Sequence, residues 1–183
     1  GLLLFHRLGS GKSCSSILIS DEMINQAKTK KIFVLTPGSL RQNFIEEYCE
    51  KCGKSPKYLK KYYTFITTNY AVGKNLPDFN NSFVIIDEVH NIRFTDDNKS
   101  KRVASELLKL VTNVDNLRLL FLSATPLYNT YKEVIWLINI MNLNDNRSTI
   151  KIKDIFDEDG NLRISSDIKR VFDFFLSTIE EEE

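Results

Sequence analysis

The sequence lacks any apolar run near the roughly 20 residues needed to cross a bilayer. Its opening Gly1-Leu2-Leu3-Leu4-Phe5 has neither the basic start nor the length of a secretion signal, and reads as a buried strand. No membrane is therefore expected among the partners. Net charge is almost absent, since 25 Lys and Arg oppose 24 Asp and Glu for a formal +1. That argues against nonspecific coating of nucleic acid. The near-neutrality hides an asymmetry: residues 1–80 hold 12 basic against 6 acidic side chains, and residues 81–183 hold 13 against 18. A local basic face remains open, although individual lysines there also fit a solvated surface.

An even set of cysteines is lacking as well. Cys14, Cys49 and Cys52 stand alone. Without secretory features they predict free thiols in a reducing, intracellular setting. No repeat recurs at a fixed period. The chain has no initiator Met, opens within its first strand and ends on Glu180-Glu181-Glu182-Glu183, so both ends are expected to be limits within a longer protein. At 183 residues, 42% hydrophobic and 27% charged, it has length for one core and an appendage.

Short apolar runs alternate with amphipathic ones. Strands are expected at Leu2–Phe5, Ile32–Leu35, Tyr63–Thr67, Phe83–Ile86 and Leu117–Leu122. Helices are expected at Ser13–Ala27, from an N-cap at Ser39 to about Lys51, and at Ser100–Thr112 and Tyr131–Met141. The strands are continuously apolar, as in a parallel sheet covered on both faces. The expected fold class is therefore α/β. The polar stretch Asn142–Lys153, an Asp-Gly turn within Phe156–Leu162 and a helix over Ser166–Ile179 mark a change of character. Residues 1–143 are read as one lobe and 144–183 as a linker and helical extension.

Between the first strand and first helix lies Arg7-Leu8-Gly9-Ser10-Gly11-Lys12-Ser13. Gly9 and Gly11 let the backbone curl so that its N–H groups converge on phosphate oxygens, and the following helix adds its dipole. Lys12 can reach the β- and γ-phosphates, and the Ser13 hydroxyl suits Mg²⁺. Leu8, Gly9, Ser10, Gly11, Lys12 and Ser13 are thus the expected nucleotide-binding segment. The Walker pattern has Gly six residues before its Lys, where this chain has His6. About 75 residues after Lys12, Asp87 and Glu88 follow the apolar run Phe83-Val84-Ile85-Ile86. Ligands gather at the carboxyl ends of such strands. Asp87 can hold Mg²⁺, Glu88 can orient the water attacking the γ-phosphate, and Lys12 completes the catalytic set.

These motifs resemble the first RecA-like lobe of superfamily 2 helicases and translocases, a three-layer P-loop NTPase fold with a mainly parallel sheet. Leu122-Ser123-Ala124-Thr125-Pro126-Leu127-Tyr128-Asn129 is similar to the family's Ser-Ala-Thr element, with an extension like that of Swi/Snf-type remodellers. Thr36-Pro37-Gly38-Ser39-Leu40 and Thr67-Thr68-Asn69-Tyr70 fall where motifs Ia and Ib lie. The stretch from Leu3 to Ser13, Ile135-Trp136-Leu137-Ile138-Asn139 and Phe156–Leu162 look most like helicases of large cytoplasmic DNA viruses, of the poxvirus early transcription factor and nucleoside triphosphatase type. In that group the position of His6 varies.

The resemblance implies ATP and Mg²⁺ as cofactors. Ser123 and Thr125 would couple nucleotide state to nucleic-acid grip, with His90 of the DEVH string as relay. Thr36, Pro37, Thr67, Thr68 and Asn69 would touch a phosphate backbone, contacts that position without reading sequence. DNA is expected in preference to RNA, a second RecA-like lobe would be supplied by the same protein, and viral transcription machinery would be a partner. A viral protein of this kind would work in virus factories of the host cytoplasm and enter virions. The second lobe would bring arginine fingers, which contribute about 10³–10⁵ in rate, so the isolated stretch is expected to bind nucleotide weakly and hydrolyse it poorly.

Three rival readings differ in class. A kinase or GTPase would lack the DEVH and Ser-Ala-Thr-Pro strings, and no guanine-reading Asn-Lys-x-Asp occurs. A zinc module could use Cys49-Glu50-Lys51-Cys52-Gly53 as a half-site, but two further ligands with paired spacing are wanting. A non-catalytic scaffold lobe is opposed by the intact Lys12, Ser13, Asp87 and Glu88.

Overall fold

The computed structural model describes residues 1–5, 11–67, 77–92, 98–124, 131–157, 159, 161 and 163, with the side chains of 98–102 and 131–132 left aside. The chain divides into two compact units, Gly1–Thr149 and Ile150–Glu183.

The first unit is built on five parallel strands, β1 (Leu2–Phe5), β2 (Lys31–Thr36), β3 (Tyr63–Thr67), β4 (Ser82–Ile86) and β5 (Arg118–Ser123), in the order β1-β5-β4-β2-β3. Helix α1 (Lys12–Asn25) follows β1, and α2 (Arg41–Glu46) follows β2. After α2 come a π-helical turn (Glu47–Lys51) and α3 (Pro56–Tyr62). A 3₁₀ turn (Val89–Asn91) leaves β4, and α4 (Asn98–Asn113) and α5 (Tyr131–Asn144) flank β5 in sequence.

Side-chain alternation along the strands makes two cores. Ile32, Val34, Phe83, Ile85, Leu120 and Leu122 pack on one face with Ile17 of α1, Phe44 of α2 and Leu59 of α3. Phe33, Leu35, Val84, Ile86, Leu119 and Phe121 pack on the other with Val103, Leu107 and Val111 of α4 and Leu137 and Ile140 of α5. A sheet covered on both faces explains why the strands read as continuous apolar runs.

Strand limits agree with the sequence reading to within one residue at each end. The N-cap expected at Ser39 is a correction: α2 begins at Arg41, its flanking residue is Leu40, and no side chain caps it. Helix α3 went unforeseen, although Ser55-Pro56 spells its start. The Ser55 hydroxyl accepts from the Lys57 N–H, and Pro56 occupies the first turn, where a missing N–H is harmless. Helix α5 extends to Asn144, and a short helix α6 (Ile152–Ile155) interrupts the stretch read as turns. In the second unit the Asp157 carboxylate accepts from the Asp159 and Asn161 N–H groups at 3.0 and 2.8 Å, closing the expected turn. The helix expected at 166–179 lies outside the described residues.

The cysteines are a second correction. Cys14 in the first turn of α1 and Cys52 just after the π turn are joined as a disulfide, with Cα atoms 5.8 Å apart, and Cys49 alone is free. The tertiary contact between these helices, invisible in sequence, brings together residues 38 apart. It consumes Cys52 as a zinc half-site ligand and removes the free-thiol argument for a reducing setting. The same helices are held by a buried polar chain. Tyr63 Oη donates to Asp21 Oδ1 at 2.8 Å, Ser20 Oγ lies 2.7 Å from Tyr63 Oη, and Lys54 Nζ sits 2.9 Å from Asp21 Oδ2. Among the described residues no helix is long and apolar enough to cross a membrane.

Closing a loop of this length with a disulfide stabilises a fold by about 4 kcal/mol in the chain-entropy account. Reducing the bond, or the change Cys52→Ser, is expected to lower the melting temperature by at least several degrees. Melts with and without reductant test this, and coincident curves would show that the bond contributes nothing.

Candidate functional site

Parallel pairing sends the carboxyl ends of all five strands to one edge. Phe5 pairs in register with Ser123, Leu35 with Ile86, and Thr36 with Thr67. The chain reverses direction across the sheet between β1 and β2, the arrangement in which α/β folds form a crevice. There a cavity of about 260 Å³ is lined by Gly11, Lys12, Ser13, Asp87, Glu88 and Glu47, among others. A larger cavity of about 520 Å³ opens instead among residues such as Asp115, Asn116, Asn144 and Asn146, away from these groups.

Gly11 has φ 83°, a left-handed conformation that favours glycine, and it starts α1 with its carbonyl accepting from the Ser15 N–H at 2.9 Å. Lys12 then lies in the first turn, only 9% exposed. Its Nζ has no hydrogen-bond partner among the described residues and lies 3.7 Å from Glu88 Oε1. A buried ammonium in that condition is a site for an anion.

The acidic pair sits where β4 runs out of core. The Asp87 N–H donates to the Leu35 carbonyl at 2.8 Å, continuing the β2–β4 pairing one step beyond the strand. Its carboxylate accepts from Thr36 Oγ1 at 3.3 Å and from the Glu88 N–H at 3.0 Å. Burial pushes the Asp87 carboxyl above its usual range, the Glu88 charge adds to this, and Lys12 and the two hydrogen bonds oppose it. Glu88 has φ 51°, the left-handed conformation of a non-glycine residue, which stores on the order of 1 kcal/mol or more. That turn swings its carboxylate back over the cavity, so Oε1 faces Lys12 while Oε2 lies 3.2 Å from His90 Nδ1.

His90 Nδ1 is also 3.2 Å from Ser123 Oγ. A carboxylate only accepts, so the proton of the Glu88–His90 contact rests on Nδ1. Glu88, His90 and Ser123 thus form one chain from the cavity to the end of β5. Asp87 and Ser13 offer oxygen donors alone, the hard set that Mg²⁺ takes, and two adjacent carboxylates call for a cation. The residues present fit a phosphate and a magnesium ion.

Of the expected site residues, the structure brings together Gly11, Lys12, Ser13, Asp87, Glu88, His90 and Ser123. Thr36 is a correction as a nucleic-acid contact: it is 0% exposed, and its hydroxyl is turned to Asp87. Pro37 and Thr67 are half-buried at neighbouring strand ends, and a Cβ placed on Gly38 would lie 3.6 Å from Thr67 Cγ2. Leu8, Gly9, Ser10, Thr68, Asn69 and Thr125 lie outside the described residues.

One group went unnoticed in the sequence. Glu47 lines the cavity and accepts a hydrogen bond from the Ser13 hydroxyl, which holds its carboxyl below the usual range. Lys51 Nζ pairs with it at 2.9 Å. The only signal in sequence is the i,i+4 pairing with Lys51, common on solvated helices.

Residues 1–171 match the SNF2-related domain family. A protein of Invertebrate iridescent virus 3 named as a helicase, 087L, is 29% identical over 192 residues, covering 85% of this chain and 19% of that protein. A protein of Acanthamoeba polyphaga mimivirus named as an ATP-dependent RNA helicase, R563, is 28% identical over 176 residues, covering 79% and 30%. The early transcription factor 70 kDa subunit of Molluscum contagiosum virus subtype 1 is 28% identical over 156 residues, covering 77% and 22%. The chain thus spans at most about a third of these relatives. Among solved structures, the Sulfolobus solfataricus SWI2/SNF2 ATPase core in complex with dsDNA superposes with a TM-score of 0.62 at 18% identity, covering 85% of this chain and 34% of that one. That likeness shows a RecA-like fold.

Burying the Asp87 charge disfavours the empty fold at every pH where the unfolded carboxyl is ionised. Asp87→Asn keeps an acceptor for Thr36 and removes the charge. It is expected to raise the melting temperature of nucleotide-free protein at neutral pH, by about 3 °C for each kcal/mol relieved. The gain should vanish below the ordinary carboxyl value of 3.8. An Asn variant melting lower than the parent at pH 7 would contradict this.

Proposed function

The chain belongs to the SNF2-related domain family, and we propose that it is the ATP-binding lobe of a motor that moves along nucleic acid, double-stranded DNA in preference to RNA. The observation that carries this reading is the buried Lys12 ammonium. It has no hydrogen-bond partner among the described residues and shares one cavity with Asp87 and Glu88. A phosphate oxygen supplies the missing acceptor.

In this reading Lys12 and the N–H groups that open α1 hold the β- and γ-phosphates, while Ser13 and Asp87 hold the metal. Magnesium, when bound, neutralises phosphate charge and fixes the geometry for in-line transfer. Glu88 orients and polarises the water that attacks the γ-phosphate. Its contact with Lys12 at 3.7 Å is longer than a hydrogen bond, so Lys12 can turn to phosphate without losing a tight partner. His90 Nδ1 holds the second oxygen of Glu88, and Ser123 lies against the same nitrogen. Movement of Glu88 on turnover is thereby felt at the end of β5, where the coupling role of Ser123 belongs. Pro37 and Thr67, together at one rim, are the surface proposed for a phosphate backbone.

The DNA assignment is supported by the duplex bound to the archaeal neighbour and by the kinship with early transcription factor subunits. That kinship also supports a place in viral transcription. The RNA helicase name of the mimivirus relative makes RNA the alternative to test.

ATPase rates of the full-length protein with duplex DNA, single-stranded DNA and RNA test the reading, with duplex DNA expected to stimulate most. Glu88→Gln should keep nucleotide affinity and lose about 10²-fold or more in turnover, while Lys12→Ala should weaken both. Normal turnover by Glu88→Gln would remove Glu88 from its role, and stimulation by RNA alone would reverse the DNA assignment.

A further inference from the structure

The nucleotide cavity contains a carboxylate besides Asp87 and Glu88. Glu47 opens the π-helical turn that follows α2, a local widening of the helix that often marks a functional position. Its carboxylate lines the cavity and accepts the Ser13 hydroxyl proton. Lys51 holds Glu47 Oε1 at 2.9 Å, limiting its freedom to swing outward. The helix that carries it is fastened to the helix that carries Ser13 by the disulfide from Cys14, next to Ser13, to Cys52, five residues beyond Glu47. One hydrogen bond, one ion pair and one covalent link therefore fix this carboxylate against one hydroxyl.

A serine hydroxyl has one proton and two lone pairs. Where its proton goes decides where its lone pairs face. We propose that Glu47 is a positioning residue of the nucleotide site: by taking the Ser13 proton it turns the Ser13 oxygen lone pairs toward the divalent cation, and its charge adds to the attraction for that cation. The proposal rests on reading the cavity as a magnesium-nucleotide site. Glu47 touches neither phosphate nor attacking water, so its effect is confined to the metal-dependent part of binding.

The test is a titration of the full-length protein with a fluorescent ATP analogue, in excess EDTA and in Mg²⁺, alongside Mn²⁺ binding followed by electron paramagnetic resonance. Glu47→Ala should leave the affinity in EDTA within about twofold and lower the affinity in Mg²⁺ by about tenfold, the scale of one hydrogen bond to a charged group. Glu47→Gln, whose amide oxygen still accepts from Ser13, should recover most of that loss. Ser13→Ala should make Glu47→Ala silent, because the two act as one pair.

Equal weakening in EDTA and in Mg²⁺, with a lowered melting temperature, would mean that Glu47 serves only the fold, and the proposal would fall. It would fall equally if Glu47→Ala bound as the unchanged protein does, or if its effect persisted beside Ser13→Ala. Absence of Mg²⁺-dependent nucleotide binding in the unchanged protein would instead overturn the underlying site reading, and this proposal with it.

Discussion

Strand β4 is buried along its whole length, with β2 and β5 paired on either side and apolar side chains covering both faces. Nothing polar can emerge from it until the sheet ends. The first polar residues to do so are Asp87 and Glu88, and the same constraint acts on the neighbours. Strands β2 and β5, apolar through their centres, end at Thr36 and Ser123. Parallel pairing in one register brings these ends to a single edge, so the candidate site follows from the burial of the sheet. Chemistry collects where the core stops.

At that edge the electrostatics are unfavourable without a ligand. Three carboxylates, Asp87, Glu88 and Glu47, line a cavity whose buried ammonium, Lys12, has only a loose 3.7 Å contact. Asp87 is pushed toward protonation by burial and by Glu88. Glu88 holds a left-handed backbone conformation in order to face both Lys12 and His90. Each feature destabilises the empty fold, and each is relieved by a bound anion with its metal. Stability elsewhere offsets this. The two apolar cores, the Ser20–Tyr63–Asp21–Lys54 chain and the Cys14–Cys52 bond all anchor the helices that carry Lys12, Ser13 and Glu47.

Much of this was legible in the residues. Strand positions could be read because burial on both faces leaves an uninterrupted apolar run, a strong signal in a short window. The loop ending in Lys12-Ser13 and the pair Asp87-Glu88 could be read because phosphate and magnesium chemistry demand particular side chains at particular places. What escaped were features without a local demand. The start of α2 carries no side-chain cap, so Ser39 was an attractive but wrong choice. Helix α3 is short and was missed despite Ser55-Pro56. Thr36 has the right neighbours for a surface contact, and only its exposure shows that it serves Asp87 instead.

By itself the sequence determined the class of fold, the order of its strands along the chain and the chemical identity of the phosphate and metal ligands. These depend on local patterns: apolar runs, glycines and charged residues just beyond strand ends. The tertiary structure alone decided that Cys14 meets Cys52, that Glu47 reaches Ser13 and that His90 bridges Glu88 and Ser123. Each of those contacts joins residues three dozen or so apart or lies across a turn whose direction depends on packing. No pattern within either partner specifies the other. Their meeting is set by how the helices dock on the sheet.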